Sequence, residues 1–434
     1  MADTFYVRRQ MLPAEPAPRT VVGPVGWMRA NLFSGWFNSI LTLVCIAVVY
    51  FIITHLYPWF AHSVWNANSL KECRTIITER YGEGASGACF AVIHQRWKQF
   101  LFGFYPAELY WRPTLAFFLM LVALAPVLFQ NLPRKMLWFS VLFPGIAYWL
   151  LWGGSIFIPI GVYFGFVVAV VVRNLVMDRS NRLVGLIAGV IAALIWWFYL
   201  DGPVTNLLAR ALPFLSMTEV ASKQFGGFML SVVIGMTGIT FSLPLGILLA
   251  LGRRSKMIFV KSICVGFIEF IRGVPLITLL LVASFLLNIF LPPGTNFDII
   301  LRVIIMVTLF SAAYMAEIIR GGLAALPKGQ YEAADALGLD YWQAMRLIIM
   351  PQALKISIPN IVNNFISLFK DTTLVAIIAL LDPIGLVTSI RSDSNWNGIV
   401  WELYGFVALI FFVCCYSMSL YSKYLERKLR TDHR

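Results

Sequence analysis

The sequence predicts an all-α polytopic membrane protein, and three observations carry that reading. Of its 434 residues, 59% are hydrophobic and only 13% are charged. Soluble domains run about 45–50% apolar and about 25% charged. The mean hydropathy of +0.79 leaves more apolar surface than one soluble core hides, so the excess must face lipid. Soluble enzymes, disulfide-stapled secreted scaffolds and disordered chains are excluded on composition. The third observation is periodic: stretches of roughly 20 apolar residues, the length a spanning helix needs, recur along the whole chain. Ten can be drawn, at about 37–57, 114–130, 137–155, 156–172, 183–200, 226–251, 262–287, 300–319, 357–380 and 402–422.

Residues 1–36 are polar, Pro-rich and basic, too long for the charged start of a secretory signal. The first span is therefore read as an uncleaved anchor. Loop 58–113 follows it and is long. The third and fourth spans are nearly fused, with Gly153, Gly154 and Pro159 supplying the break; nine spans with a re-entrant segment is the alternative count. The domains read as 1–36, a cytoplasmic segment; 37–200, accessory helices with loop 58–113 outside; 220–425, a five-span core; and 426–434, a cytoplasmic tail.

Charge orients these spans. The net charge of +13 would suggest nucleic acid in a soluble chain, but no basic–aromatic interleaving accompanies it. In a membrane protein, basic residues gather in cytoplasmic loops. With both termini inside, Arg8, Arg9, Arg19 and Arg29 precede the first span, and Lys423, Arg427, Lys428, Arg430 and Arg434 follow the last. Arg253, Arg254, Lys256 and Lys261 join the sixth span to the seventh, while the outer loops after the third, seventh and ninth hold only Arg391. Loop 58–113 carries more, but long loops translocate largely regardless of charge. Trp36, Trp59, Trp111, Trp138, Trp401 and Tyr421 near span ends fit an interfacial belt.

Cys45, Cys264, Cys414 and Cys415 lie in or near spans, where cysteine acts as a small apolar residue. Cys73 and Cys89 share loop 58–113. An oxidising periplasm favours a disulfide between them; two buried thiols is the alternative. No His or carboxylate cluster accompanies any of them at metal-ligand spacing.

The inner loop from about Arg320 to Lys355 is the exception among short connections. Pro327 and Gly329 break the helix before it, and Tyr331–Leu337 reads as one short helix. Gly338 sits where a helix stops in the left-handed conformation. Asp340 reads as an N-cap, with Gln343 completing a capping-box pair, and a second helix follows until it meets Pro351. A structured loop of this kind implies a docking partner.

The pattern Glu332-Ala333-Ala334, three residues, Gly338, nine residues, Ile348, two residues, Pro351, one residue, Ala353 resembles the EAA loop of ABC importer permeases. Met350 stands where that family usually has leucine. The resemblance implies a coupling helix that enters a cleft of an ATP-binding subunit, with Glu332, Ala333, Ala334, Gly338 and Pro351 as the coupling residues. It continues through Phe225–Arg254, Phe270–Pro275, Ala313–Gly322 and Lys370–Leu374, which look like the polar amino acid branch. Thr373 departs from the serine more common there. This implies a type I ABC importer transmembrane core over residues 220–425, with additional N-terminal transmembrane helices. The larger permeases it resembles serve general L-amino acid or glutamate/glutamine/aspartate/asparagine uptake. They work with an ATP-binding subunit, a second permease and a periplasmic amino-acid-binding protein, in a bacterial inner membrane. The implied chemistry puts ATP and Mg on the ATPase and no cofactor on this chain, whose sequence lacks the G-x-x-x-x-G-K-[ST] phosphate loop.

Ionisable groups inside spans are costly and usually face a cavity or a partner. Glu269 and Arg272 are three apart on one helix face. They read either as an internal ion pair or with Arg272 as a cationic site for an amino acid α-carboxylate. Glu317 and Arg320, again three apart, are expected to anchor the eighth span. Ser357, Asn360, Asn364, Ser367 and Asp371 form a polar stripe on the ninth span, with Asn363 adjacent. Such a stripe avoids lipid; it either glues helices together or lines the solute path. An ion-coupled secondary transporter or channel is the competing function, which inverted repeats would favour.

Overall fold

The computed structural model describes residues 23–129, 131–286 and 298–429. Residues 1–22 with Arg8, Arg9 and Arg19, the end of the expected seventh span at Leu287, and the tail beyond Leu429 lie outside the described residues. The chain divides after Val92 into two compact units. That boundary falls within the expected accessory region.

The first unit holds α1 (Gly23–Asn31), α2 (Trp36–Ala61) and α3 (Leu70–Tyr81). α2 has no buried residue and is apolar on every side, as a lipid-embedded helix should be. The segment after it is folded. Ser69 caps α3 by accepting the Glu72 N–H at 3.2 Å, and the Glu72 carboxylate accepts the Asn68 N–H at 2.7 Å. Cys73 and Cys89 are joined in a buried disulfide with Cα atoms 6.0 Å apart. The Val64 N–H donates to Ala88 O at 2.8 Å beside it.

The helix α4 (Ala91–Phe102) crosses the boundary between the units. In the second unit come α5 (Trp111–Leu128), α6 (Leu137–Trp152), α7 (Phe157–Met177) and α8 (Arg182–Ile195). The expected break between the third and fourth spans lies at Gly153 and Gly154, both with φ +75°. Gly154–Ser155 pairs antiparallel with Ser216–Met217. The fifth span is longer than expected: α8 runs through a π-turn, Trp196–Leu200, into α9 (Asp201–Ala211).

The core comprises α10 (Gly227–Arg253), α11 (Ile258–Gly273), α12 (Leu276–Leu281) and α13 (Ile299–Ala324). It continues with α14 (Lys328–Ala336), α15 (Tyr341–Ala344), α16 (Met350–Asp371), α17 (Pro383–Arg391) and α18 (Trp401–Leu429). Among the described residues nine helices are long and apolar enough to cross a membrane, or ten if α11 and α12 count as one bent span. The seventh span is thus not the single helix expected over 262–287. It bends by 102° between Gly273 and Leu276. Pro275 explains this: it forces Val274 into extended geometry (φ −106°, ψ 132°) and removes a helix hydrogen bond.

Two buried apolar clusters organise the core. Leu230, Ile234, Ile300, Val303 and Val307 pack with Tyr105, Leu150, Leu151 and Phe225, so the accessory helices share this cluster. The second joins Ala250, Ile268, Met315 and Ile319 to Met345, Ile349 and Ala353. The inner loop therefore rests on the core through its own apolar side chains.

Candidate functional site

The loop after α13 is built by local chemistry. Pro327 is the N-cap of α14, its fixed φ of −58° and extended ψ of 140° ending α13's path and setting the entry to the new helix. Tyr331 then packs into the second cluster; its hydroxyl donates to Leu323 O at 3.3 Å and accepts from Arg254 Nη1 at 3.1 Å. Ala334 is buried, while Glu332 and Ala333 on the same helix are exposed. Gly338 has φ +68°, so any other residue there is strained. Asp340 and Gln343 form the reciprocal capping box, at 2.7 and 3.1 Å.

The second loop helix does not stop at Pro351. α15 runs through a π-turn, Met345–Ile349, directly into α16. In a regular α-helix the proline ring clashes with the carbonyl four residues back; here that residue, Leu347, lies in the widened turn. Loop and ninth span are one helical body from Tyr341 to Ile378, the last turns tightening to 3₁₀ over Thr372–Ile378. Leu337 (72% exposed), Tyr341, Trp342 (67% exposed) and Leu347 project from the loop. Large apolar side chains grouped this way beside an exposed acid form a surface suited to a protein partner.

Above the loop, Glu317 on α13 is the centre of an ion cluster. Its Oε1 lies 2.8 Å from Arg253 Nη1 on α10, and its Oε2 2.9 Å from Arg320 Nε. Arg272 Nη1 on α11 approaches Oε2 at 3.8 Å, and its guanidinium lies 5.5 Å from the Tyr314 ring centroid. The expected Glu269–Arg272 pair is not made: Glu269 is held by Arg253 at 2.8 Å, and Arg272 turns to Glu317. The Glu317–Arg320 pair is present as expected. Arg253 and Tyr331 were missed because no local spacing links them to their partners.

The polar stripe on α16 divides into two edges. Ser357 is buried and donates to Ile318 O at 3.3 Å, and Asn364 Nδ2 donates to Ser311 Oγ at 2.9 Å. Those two bind α16 to α13. Asn360, Asn363 and Ser367 are exposed, and Asp371 is half-buried. The stripe is thus packing glue along one edge and an open polar face along the other. On a membrane helix, an open polar face requires water or another subunit beside it.

Beyond the loop end, Asp382 caps α17 by accepting the N–H groups of Gly385 at 2.9 Å and Ile384 at 3.1 Å. It is fully buried, and burial pushes its carboxyl up to about 6 against those hydrogen bonds. Among the described residues no group of His, Cys, Asp or Glu is arranged to hold a metal ion.

Residues 242–431 match the family described as binding-protein-dependent transport system inner membrane component. The chain is 59% identical to the glutamate/glutamine/aspartate/asparagine transport system permease protein BztC of Rhodobacter capsulatus, over 100% of both chains. It is 38% identical to the inner membrane amino-acid ABC transporter permease protein YhdY of Escherichia coli K12, over 96% of both. The probable glutamine ABC transporter permease protein GlnP of Bacillus subtilis is 34% identical, over 46% of this chain and 90% of its own.

Proposed function

The chain belongs to the family of binding-protein-dependent transport system inner membrane components, and we propose that it imports polar L-amino acids as the permease subunit of an ATP-driven transporter. The relatives that match it from end to end are amino acid permeases. The observation that carries the reading is mechanical: one helical body joins the exposed loop surface to the open polar face of α16. A protein that grips the loop moves that face.

In this reading Glu332, Ala333 and Gly338 enter the cleft of a separate ATP-binding subunit, which uses ATP and Mg, whereas Ala334, expected among the coupling residues, is buried against this chain and seats the loop helix instead. Pro351 and the π-turn before it carry the motion into the span. Asn360 and Ser367, with Asp371 and Arg272, line the solute path, whereas Asn364 holds that wall to α13. A second permease subunit covers the open face and completes the path, and the pair is a heterodimer. A periplasmic binding protein delivers the solute. Both termini and the loop are cytoplasmic, with loop 58–113 outside. Alternating access follows if ATP binding biases two arrangements of the bundle through contacts that differ between them.

The test is reconstitution of the purified assembly in liposomes. ATPase activity should rise at least fivefold when amino-acid-loaded binding protein is supplied, with matching solute accumulation. Accumulation driven by an ion gradient without the ATPase would establish the secondary-transporter reading instead.

A further inference from the structure

The ion cluster around Glu317 is unevenly filled. Three guanidiniums, Arg253, Arg272 and Arg320, meet two carboxylates, Glu269 and Glu317. Arg253 and Arg320 make close ion pairs with Glu317, although its buried Oε1 accepts no hydrogen bond. Arg272 reaches Glu317 only at 3.8 Å, and its buried Nε has no hydrogen-bond partner. The surplus positive charge therefore sits at Arg272, on the last turn of α11 before the 102° bend. The Arg272 side chain is nonetheless 33% exposed, and the open part of a guanidinium that is only loosely paired is suited to take a carboxylate.

The same cluster is tied to the loop by sequence neighbours. Arg253 ends α10 and Arg254 caps it. Arg253 holds Glu269 and Glu317, while Arg254 donates to Tyr331 and lies 5.7 Å from its ring centroid. Tyr331 directly precedes Glu332 in α14. One helix end thus grips the loop with one arginine and the central carboxylate with the next.

We infer that Glu317 and the carboxylate of a transported amino acid compete for Arg272, and that Arg253 and Arg254 set this competition from the loop. The inference rests on Arg272 lining the solute path as proposed above, and takes that residue as the cationic site for the α-carboxylate. The attraction Glu317 has left for Arg272 depends on how firmly Arg253 and Arg320 hold it. Movement of the loop shifts Arg254, and Arg253 with it, so Glu317 is pressed on Arg272 or withdrawn. A solute that binds one arrangement better then biases the loop in return. The group recognised is the α-carboxylate, common to every amino acid, so this contact selects the class and leaves side-chain choice to others.

The experiment is thermal stabilisation of the purified assembly, titrated with L-glutamine, with its α-amide as the control lacking the carboxylate. L-glutamine should stabilise and the α-amide should not. Glu317→Gln removes the competitor and should lower the half-stabilising concentration at least threefold. Arg253→Gln frees Glu317 to press on Arg272 and should raise it at least threefold, with Arg253→Lys restoring most of the change. A non-hydrolysable ATP analogue should move that concentration in the unmodified assembly and leave Tyr331→Phe unmoved. General loosening of the bundle moves the two charge variants the same way. That result, or no movement in either, or a Tyr331→Phe assembly that responds normally, overturns the joint. Normal titration by Arg272→Gln overturns the carboxylate reading itself; loss in Arg272→Gln with the other variants unmoved overturns the competition alone.

Discussion

Gly338 and Asp382 each act on the helix that starts beside them. Gly338, at φ +68°, is where the loop reverses between α14 and the capping box of Asp340. A side chain in left-handed geometry costs about 1–2 kcal/mol, and the exposed site offers nothing to offset it. Gly338→Asp should therefore insert normally yet lose at least nine-tenths of uptake, measured in membrane vesicles with expression checked by immunoblot. Normal uptake would mean the turn does not set the docking surface. Asp382 gives a pH signature of unusual sign. Its folded carboxyl titrates at about 6 against an ordinary 3.8, so between those values the folded chain holds a proton the unfolded chain has released. Stability contributed by this group is present below about pH 4 and is lost as pH rises through about 6. At roughly 1.4 kcal/mol per pH unit, the loss is at most about 3 kcal/mol. Asp382→Asn keeps an N-cap acceptor and removes the slope. Melting of the detergent-purified chain should thus fall from pH 5 to 7.5 more steeply in the parent than in the variant; equal slopes would show that Asp382 is not titrating there.

At the scale of elements, α16 has two edges that ought to fail differently. Asn364 is bonded to Ser311 on α13, so Asn364→Leu leaves a polar partner unpaired and should destabilise the bundle by about 1–3 kcal/mol. Ser367 makes no such bond and is exposed. Ser367→Leu should leave melting within a degree of the parent while reducing uptake severalfold. If Ser367→Leu transports normally, the open face is not the path. These edges were not separable in sequence, because three- and four-residue steps mark one side of a helix without saying which neighbour covers each part of it. The loop was far more legible: proline, left-handed glycine and capping box act between residues a few positions apart, so their spacing carries their geometry. Proline alone misled in both directions. Pro275 breaks a span that hydropathy reads straight through, whereas Pro351 lies inside a continuous helix because the π-turn before it makes room. Arg253 and Glu317, on different helices, leave no mark of their pairing in the sequence.

For the whole molecule, the accessory helices are more than a lipid-facing appendix. In the second unit, Arg96 on α4 forms an ion pair with Asp393 beyond α17, and Phe100 packs against Phe406 of α18 at 5.2 Å. A Cβ on Gly227, at the start of α10, would lie 2.1 Å from Phe100 O, so the backbones meet where no side chain fits. The far end of the bundle is thus held together while the loop end carries the proposed docking surface. A bundle anchored at one end and gripped at the other transmits force only if the connection at the gripped end is stiff. That stiffness is located between Ile349 and Met350, where the π-turn passes into α16. Inserting two glycines there lets loop and span move independently, since glycine is among the poorest helix formers. The decisive measurement is amino acid imported per ATP hydrolysed by the reconstituted assembly, parent against insertion. The insertion should keep ATPase activity within twofold of the parent while import per ATP falls at least tenfold; an unchanged ratio would show that loop and span need no stiff connection.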